Sequence, residues 1–450
     1  MAKPKAAAAA SSSQPADRIT SQTLIFDNGA HTIKAGFSNP STPPTLSSCH
    51  IVPNCIARSN RDRITYVGAD LDTCADFGEL HIRRPVEKGY VVNWEGEKAI
   101  WERTIFNSKS PVHCDPSQTN LILTESPNAP TALQRNADEM VFEEFGFASL
   151  WRVAAPVLTA YSPSPFANAV SPDAGTPLEA VLAVDAGHSH TTVTPLYHGR
   201  PLHAACRRLE VGGKLLTNHL QSQLSRTMDM HREDWISQEI KEDVCFVASD
   251  STNFSDLLER VWKGGRNDPR EIDVSVVVDY VLPDYEVLKR GFARQHDPSK
   301  SARLRRLGIG GTSEMVLPIG SERFAVPEVL FTPSDIGMQQ EGIASTVMQS
   351  LAALPKGLWQ GFLANVVVEG GTSCLKGFPE RFESDLRKLV DEKYVVRVAR
   401  AEDPVKNVWL GGARLAQNED LLRSLVVTKA EYLEHGDLWT RRKFAGKVGR

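Results

Sequence analysis

No run of apolar residues in this chain of 450 approaches the roughly 18 that a membrane-spanning helix requires, and the first residues lack the apolar core of a secretion signal. The expectation is an intracellular protein with no membrane contact. Neither sign of charge is in large excess: 51 Lys and Arg face 55 Asp and Glu, a formal net charge of -4. Nothing draws the whole chain to nucleic acid or to an anionic membrane, so any such contact must be local. Cysteine is scarce. Cys49, Cys55, Cys74, Cys114, Cys206, Cys245 and Cys374 are scattered and never form C-x-x-C, which reads as reduced, mostly buried thiols rather than a zinc site.

What is present suffices for large cores. A hydrophobic content of 41% over this length predicts at least two domains. Residues 1–21 carry almost nothing to bury and are expected to be a disordered tail, while the Pro- and Ser-rich residues 162–177 read as a surface loop. In residues 289–306, Lys289, Arg290, Arg294, Lys300, Arg303, Arg305 and Arg306 face only Asp297, which predicts a basic, flexible insertion.

Two related stretches carry the most information: Thr23-Leu-Ile-Phe-Asp-Asn-Gly-Ala-His-Thr-Ile-Lys-Ala-Gly-Phe37 and Val181-Leu-Ala-Val-Asp-Ala-Gly-His-Ser-His-Thr-Thr-Val193. Each is an apolar strand, an Asp-x-Gly turn and a second strand. One such turn is ordinary hairpin chemistry. Two of them point to a phosphate grip, because turn amides form an anion-binding concavity and the Asp ending the first strand can hold a metal ion's water. A third glycine turn, Asn365-Val-Val-Val-Glu-Gly-Gly-Thr-Ser373, suggests a backbone approached closely by a ligand. Three such turns predict two lobes with a cleft between them.

Periodicity elsewhere predicts strands at 120–124, 180–184, 274–278 and 365–368, and helices over 134–147, 212–224, 233–248, 340–353 and 378–391. Alternation of this kind builds α/β, helix-covered sheets.

At this point the residues resemble the actin family, within a larger group that includes sugar kinases and 70-kilodalton chaperones. The resemblance runs from about Thr23 to Phe444 and is carried by the first hairpin with Lys34, Glu87-Lys-Gly-Tyr-Val-Val-Asn-Trp94, Lys241-Glu-Asp-Val-Cys-Phe-Val247, Arg323-Phe-Ala-Val-Pro-Glu-Val-Leu-Phe-Thr-Pro-Ser334 and Val408-Trp-Leu-Gly-Gly412. Val211-Gly-Gly-Lys-Leu-Leu-Thr-Asn-His-Leu220 and Glu369-Gly-Gly-Thr-Ser-Cys-Leu-Lys-Gly-Phe378, with 241–247, narrow it to a nuclear branch of the actin-related proteins. The resemblance implies an actin-like ATPase fold of two lobes, each a helix-covered mixed sheet, around a nucleotide cleft. Its subdomains would be 22–48, 85–160 and 407–450 (first), 49–84 (second), 161–211 and 337–406 (third), and 212–336 (fourth, with the basic insertion).

The resemblance also assigns roles. Asp27 and Asp185 match the carboxylates that organise a magnesium ion's water shell, and Lys34 matches a phosphate-binding lysine. Gly29 and Gly187 keep the turns, and Lys241, Glu242, Gly370 and Gly371 match groups near the sugar and base. ATP or ADP, with magnesium, is the implied cofactor. The hydrolytic positions depart: Ala155 and Thr192 stand where actin has a water-ordering glutamine and histidine, and neither supplies an imidazole's proton acceptor. Ala30 replaces a phosphate-contacting serine and His31 a glycine. His188 replaces a metal-associated aspartate, weakening recruitment of a hard cation. Leu375 replaces the tyrosine stacked on adenine, and Val405 a base-side lysine, with Lys406 adjacent. His31, His188 and His190 lack the companions and spacing of a metal site and read as loop histidines that are solvated or locally satisfied.

The implied function is a scaffold in a Swr-type chromatin remodeller that deposits a variant histone, with little or no ATP hydrolysis of its own. Its expected partners are other subunits of that complex, and nucleosome or histones through it. The basic insertion is the expected DNA contact, and the location is nuclear, with a cytoplasmic share left open. The competing expectation is a filament-forming cytoskeletal ATPase, opposed by the hydrolytic departures and by a shorter, different segment at about 56–68.

Overall fold

The computed structural model describes residues 22–60, 63–78, 80–166, 173, 175–231, 233–261, 273–297 and 314–445. The tail 1–21 and most of the loop between 166 and 175 lie outside these residues. So do Lys300, Arg303, Arg305 and Arg306 of the basic insertion.

Each apolar stretch that ends in Asp-x-Gly forms the strand expected of it. Thr23–Asn28 pairs antiparallel with Thr32–Ser38, and Ala180–Ala186 with Thr191–Tyr197. On its other side each first strand takes a parallel neighbour, Asn120–Glu125 for the first and Val366–Glu369 for the second. The near-continuous burial of these strands explains their unbroken apolar runs, because a parallel strand in a sheet covered on both faces has no solvent side.

The first large sheet runs in the order Val427–Thr428, Ser149–Ala154, Asn120–Glu125, Thr23–Asn28, Thr32–Ser38, His50–Pro53. The second runs Arg200–Pro201, Thr191–Tyr197, Ala180–Ala186, Val366–Glu369, Val398–Arg400, with Arg207–Leu209 also on the Thr191–Tyr197 strand. Two smaller three-stranded sheets hold Ile56–Ser59, Thr65–Val67 and Leu80–Arg83, and Val278–Val281, Phe292–Gln295 and Val316–Ile319. This is the expected α/β architecture of two helix-covered mixed sheets.

One apolar core joins the two large sheets. Ile25 and Ile122 of the first meet Val181, Ala183 and Val367 of the second through Val157, Leu158, Val408 and Trp409. The helix Asn407–Ala416 makes this possible by dispensing with side chains where it touches its neighbour. A Cβ on Gly411 would sit 1.9 Å from the Leu158 carbonyl oxygen.

The helices start and stop where local chemistry directs. Asn93 caps Trp94–Ile105 by accepting from the Gly96 amide, and Gly377, at φ 84°, turns the chain into Phe378–Leu389. That helix buries Phe378, Phe382 and Leu386 at the i, i+4, i+8 spacing of one face.

Three expectations need correction. The strand expected at 274–278 begins only at Val278, because Asp273 first closes a turn, accepting the Ser275 amide on its side chain and the Val276 amide on its carbonyl. The helix expected over 134–147 is Thr131–Glu139 followed by a π-helical Met140–Phe145, ended by Gly146 at φ 76°. The basic segment is not a loop throughout: Phe292–Gln295 is a strand opposite Val278–Val281, and Asp297 is not its sole counter-charge. Arg294 bonds Glu314 at 3.0 Å, and Arg290 lies 3.8 Å from Glu239. These acids lie in other segments of the chain, beyond the reach of a local charge count.

Candidate functional site

The first turn is held in shape from behind. Its short reverse is closed by the Gly29 amide donating to the Asp27 carbonyl at 3.0 Å, and a Cβ on Gly29 would press to 2.7 Å from the Thr32 carbonyl oxygen. Asn54 donates to the Gly29 carbonyl at 3.0 Å and to Glu97 at 3.3 Å, and Trp101 donates to both Glu97 and Asn28. Asp27 emerges at the strand end, accepting from Thr124 at 2.8 Å and facing the Lys34 ammonium at 3.1 Å, its direct partner in the hairpin register. Burial opposes the Lys34 charge, but the attraction of Asp27 and then Asp185 outweighs it and holds the ammonium above its ordinary pKa.

The second turn leans on the third. Thr372 donates to the Gly187 carbonyl at 2.8 Å, and the Gly213 and Lys214 amides donate to the Gly187 and His188 carbonyls, so the helix Gly213–Leu224 begins directly beneath this turn. Register places Asp185 between Thr192 and Glu369. Gly370 has φ 85°, and a Cβ there would meet the Ala186 carbonyl oxygen at 2.4 Å and Asp185 Oδ1 at 2.6 Å. Only glycine lets this strand end lie against the second hairpin.

These turns surround a cavity of about 1140 Å³, lined by Asp27, Gly29, Ala30, His31, Lys34, Ala155, Asp185, Gly187, His188, His190, Lys241, Glu242, Gly370, Gly371, Leu375 and Val405. That is ample for a nucleotide, since small-molecule sites occupy about 300–1,000 Å³. Turn backbone, Lys34 and the bare glycines suit its phosphates. Leu375 and Val405 offer an apolar but not an aromatic surface to its base.

Other sequence-expected residues fall elsewhere. Thr192 is buried outside the cavity lining, with its hydroxyl unpartnered. Lys406 turns away and donates to the Leu46 carbonyl at 3.0 Å. Lys241 lines the wall but spends its ammonium on Gly213, Thr217 and Gln238, at 3.1, 2.9 and 2.9 Å. Burial, with a smaller push from Arg84, lowers it to about 8.

Of the three histidines expected to be solvated or locally satisfied, all are half-buried, and the Nε2 of His190 lies 3.3 Å from the Ser126 hydroxyl. His31 and His188, one from each hairpin, approach to 4.8 Å between ring centroids with planes inclined at 37°. Burial first, then Arg84 and Lys241, hold His31 well below the usual imidazole pKa; burial, His31 and Arg84 do the same to His188. Both rings are therefore neutral at pH 7. The Nδ1 atoms of His31 and His190 are buried without a partner.

For a metal the arrangement is less welcoming. Asp27 already accepts from Thr124 and Lys34, and burial together with the Asp27 charge pushes Asp185 above the usual carboxylate range. Among the described residues no three His, Cys, Asp or Glu side chains converge as a metal site would require.

Sequence reasoning missed Glu369, Arg84, Asn54 and Glu97. Glu369 is fully buried beneath Asp185, accepts from Thr159 at 2.5 Å and Asn407 at 2.7 Å, and is pushed up by burial and by Asp185. A glutamate ending a buried apolar strand, Val366-Val-Val-Glu369, was the available signal.

Glu97 yields a pH prediction. Burial raises it to about 7 against the hydrogen bonds from Asn28, Trp101 and Asn54. A carboxyl raised on folding holds its proton in the native state while the unfolded chain has lost it. Its contribution is therefore intact below about pH 4 and erodes as pH climbs toward 7. Glu97→Gln keeps the acceptor oxygen and removes the buried charge. Its urea midpoint is expected to exceed the parent's by the equivalent of about 1–3 kcal/mol near pH 8 and to match it near pH 4; equal midpoints at both would refute the assignment.

Comparison with known proteins is consistent along nearly the whole chain. The family model described as Actin matches residues 19–445. A protein of Neurospora crassa called Actin-related protein 6 is 50% identical over 433 residues, 95% of each chain. Actin-like protein arp6 of Aspergillus fumigatus is 46% identical over 470 residues, 99% of each. The Actin-related protein 6 of Drosophila melanogaster is 34% identical over 423 residues, 93% of this chain and 98% of that one.

Proposed function

Because this chain belongs to the actin family, we propose that it is an actin-related scaffold subunit of a Swr-type chromatin remodeller that deposits a variant histone, a nuclear protein with little or no ATP hydrolysis of its own. The observation that carries this reading is the 46–50% identity to proteins named for actin-related protein 6 over at least 95% of this chain. The cleft supports its second half. A nucleotide would be held by the turns at Gly29, Gly187 and Gly370, by Lys34, and along the wall that ends in Lys241 and Glu242. Such a ligand would contribute its phosphates as a bridge between the two lobes.

At the two positions where the resemblance places a water-ordering pair, the described residues offer no such group. Ala155 presents a methyl group to the cavity, and Thr192 lies outside its lining. The nearby imidazoles of His31 and His188 have their basicity suppressed by burial and neighbouring cations, which makes them poor proton acceptors.

The partners follow from the same reading: other subunits of the remodeller, and nucleosome or histones through them, with the basic segment 289–306 as the DNA-facing element. Purified protein is expected to turn over ATP far more slowly than conventional actin, and tagged protein to recover remodeller subunits from nuclear extract. Turnover at an actin-like rate would sink the scaffold reading, and recovery of none of those subunits would sink the assignment to the complex.

A further inference from the structure

The His31–His188 pair stands between two cavities. Both rings line the large cleft, and both line a smaller cavity of about 400 Å³ whose walls include Arg83, Arg84, Lys214 and Trp235. The pair is thus a septum between compartments, built from one side chain of each lobe's phosphate turn.

Its surroundings are mainly positive. Arg84 donates to the His31 carbonyl at 3.0 Å from the segment after Leu80–Arg83, Lys241 reaches in from the helix Asp234–Val244, Lys34 lies along the first hairpin, and Lys214 follows the second turn. Of the acids facing these walls, Asp27 is paired with Lys34 and Glu125 with Arg152, while Asp243, Asp234 and Glu242 accept from the neutral Tyr280, Gln221 and Gln238, and Asp234 and Glu242 also attract Arg84 and Lys241. Asp185 is pushed toward its neutral form, and Glu87 lies on the outer wall of the smaller cavity. A hard divalent cation placed here would meet cations and neutral imidazoles, which are not its preferred ligands. A phosphoryl group would relieve the positive field, offer the orphaned His31 Nδ1 a partner and draw a proton from solvent onto the pair.

We propose that the His31–His188 pair is a proton-linked phosphate site: the terminal phosphate of a nucleotide in the cleft, or free inorganic phosphate, is bound by imidazolium in the field of Arg84 and Lys241, without a magnesium ion. The nucleotide form of this proposal rests on the nucleotide-binding reading given above. The depressed basicity of both rings supplies the coupling, since a group neutral in the free protein and charged in the complex makes binding pH-dependent.

The test measures binding of ADP, ATP and inorganic phosphate calorimetrically to the full chain, in magnesium and in EDTA, between about pH 6 and 8, while histidine ring signals are followed by NMR. EDTA is expected to leave the affinity unchanged, and affinity is expected to rise as pH falls, by up to about tenfold per unit for each proton taken up. His31→Gln should remove the part of the pH slope that tracks the histidine ring signals, leaving only what Lys241, at about 8, and the ligand's own phosphate, with a second pKa of about 6, contribute. His188→Asp should remove that part too and make nucleotide binding magnesium-dependent.

Parent-protein binding that requires magnesium or is flat with pH overturns the proposal without touching the nucleotide reading. If phosphate alone binds and moves the histidine signals while neither nucleotide does, the septum site stands and the nucleotide reading falls. Absence of binding by all three overturns both. The parent measurements need no variant to fold.

Discussion

Replacing Arg152 with alanine is expected to lower stability by about 3–5 kcal/mol, read as a drop in the urea midpoint. The guanidinium is buried on the strand Ser149–Ala154, next to the strand that carries Glu125. It bonds Asp138 through Nε at 2.9 Å and Nη2 at 3.3 Å, and Glu125 through Nη1 at 2.8 Å. It also lies 5.3 Å from the centre of the Phe444 ring, tying in the C-terminal helix Lys429–Phe444. Burial raises both carboxyls more than the arginine's attraction lowers them, while that attraction holds the guanidinium above its ordinary pKa, so the intact cluster contributes less than breaking it costs. Removing only the cation is what costs, because the fully buried Asp138 is left with a charge and no partner. The double replacement Arg152→Met with Asp138→Leu is accordingly expected to recover most of the loss, while Glu125 keeps its bond from Gln134 at 2.8 Å. A single-site cost below 1 kcal/mol would mean that water reaches Asp138.

Gly370→Ala is expected to abolish recovery of bound nucleotide and to lower the melting temperature. Alanine at φ 85° carries a backbone penalty of about 1–2 kcal/mol, and its Cβ would collide with the Ala186 carbonyl oxygen at 2.4 Å and Asp185 Oδ1 at 2.6 Å. The first contact is backbone and cannot give way, and the second is a carboxylate that lines the cleft. The strand Val366–Glu369 would have to move off the second hairpin, opening the cleft at the point where Asp185 and Glu369 pair. Gly371→Ala is the control: nothing lies within 4 Å of its Cβ, and the parent melting temperature is expected. Denaturing extraction followed by chromatography measures the nucleotide, and thermal unfolding measures the fold. Parent-like values of both for Gly370→Ala would show that this strand end is not fixed as described.

Where sequence reading succeeded, the determinants were local. An apolar run, an Asp-x-Gly turn and a second strand specify a hairpin whatever surrounds them, and Thr23–Ser38 and Ala180–Tyr197 both form. Where it failed, partners came from elsewhere in the chain. Arg294 finds Glu314, and Val274 looks like strand but is excluded from the ladder by the Asp273 turn. The bracing of the first turn by Asn54 and Glu97 left no mark on the sequence, because a capped helix start and an isolated asparagine carry no record of what they will touch.

The sequence by itself determined the two Asp-x-Gly turns and their glycines, and the placing of alanine at 155 and threonine at 192, since residue identity and turn chemistry act over a few residues. Only the tertiary structure decided what those turns face. It brought His31 against His188, set both half-buried in the field of Arg84 and Lys241, and engaged Asp27 with Lys34 and Thr124. The reason is that burial and long-range charge are set by how the two sheets pack across their shared core, and those effects, rather than the motif, fix the protonation of the groups in the cleft.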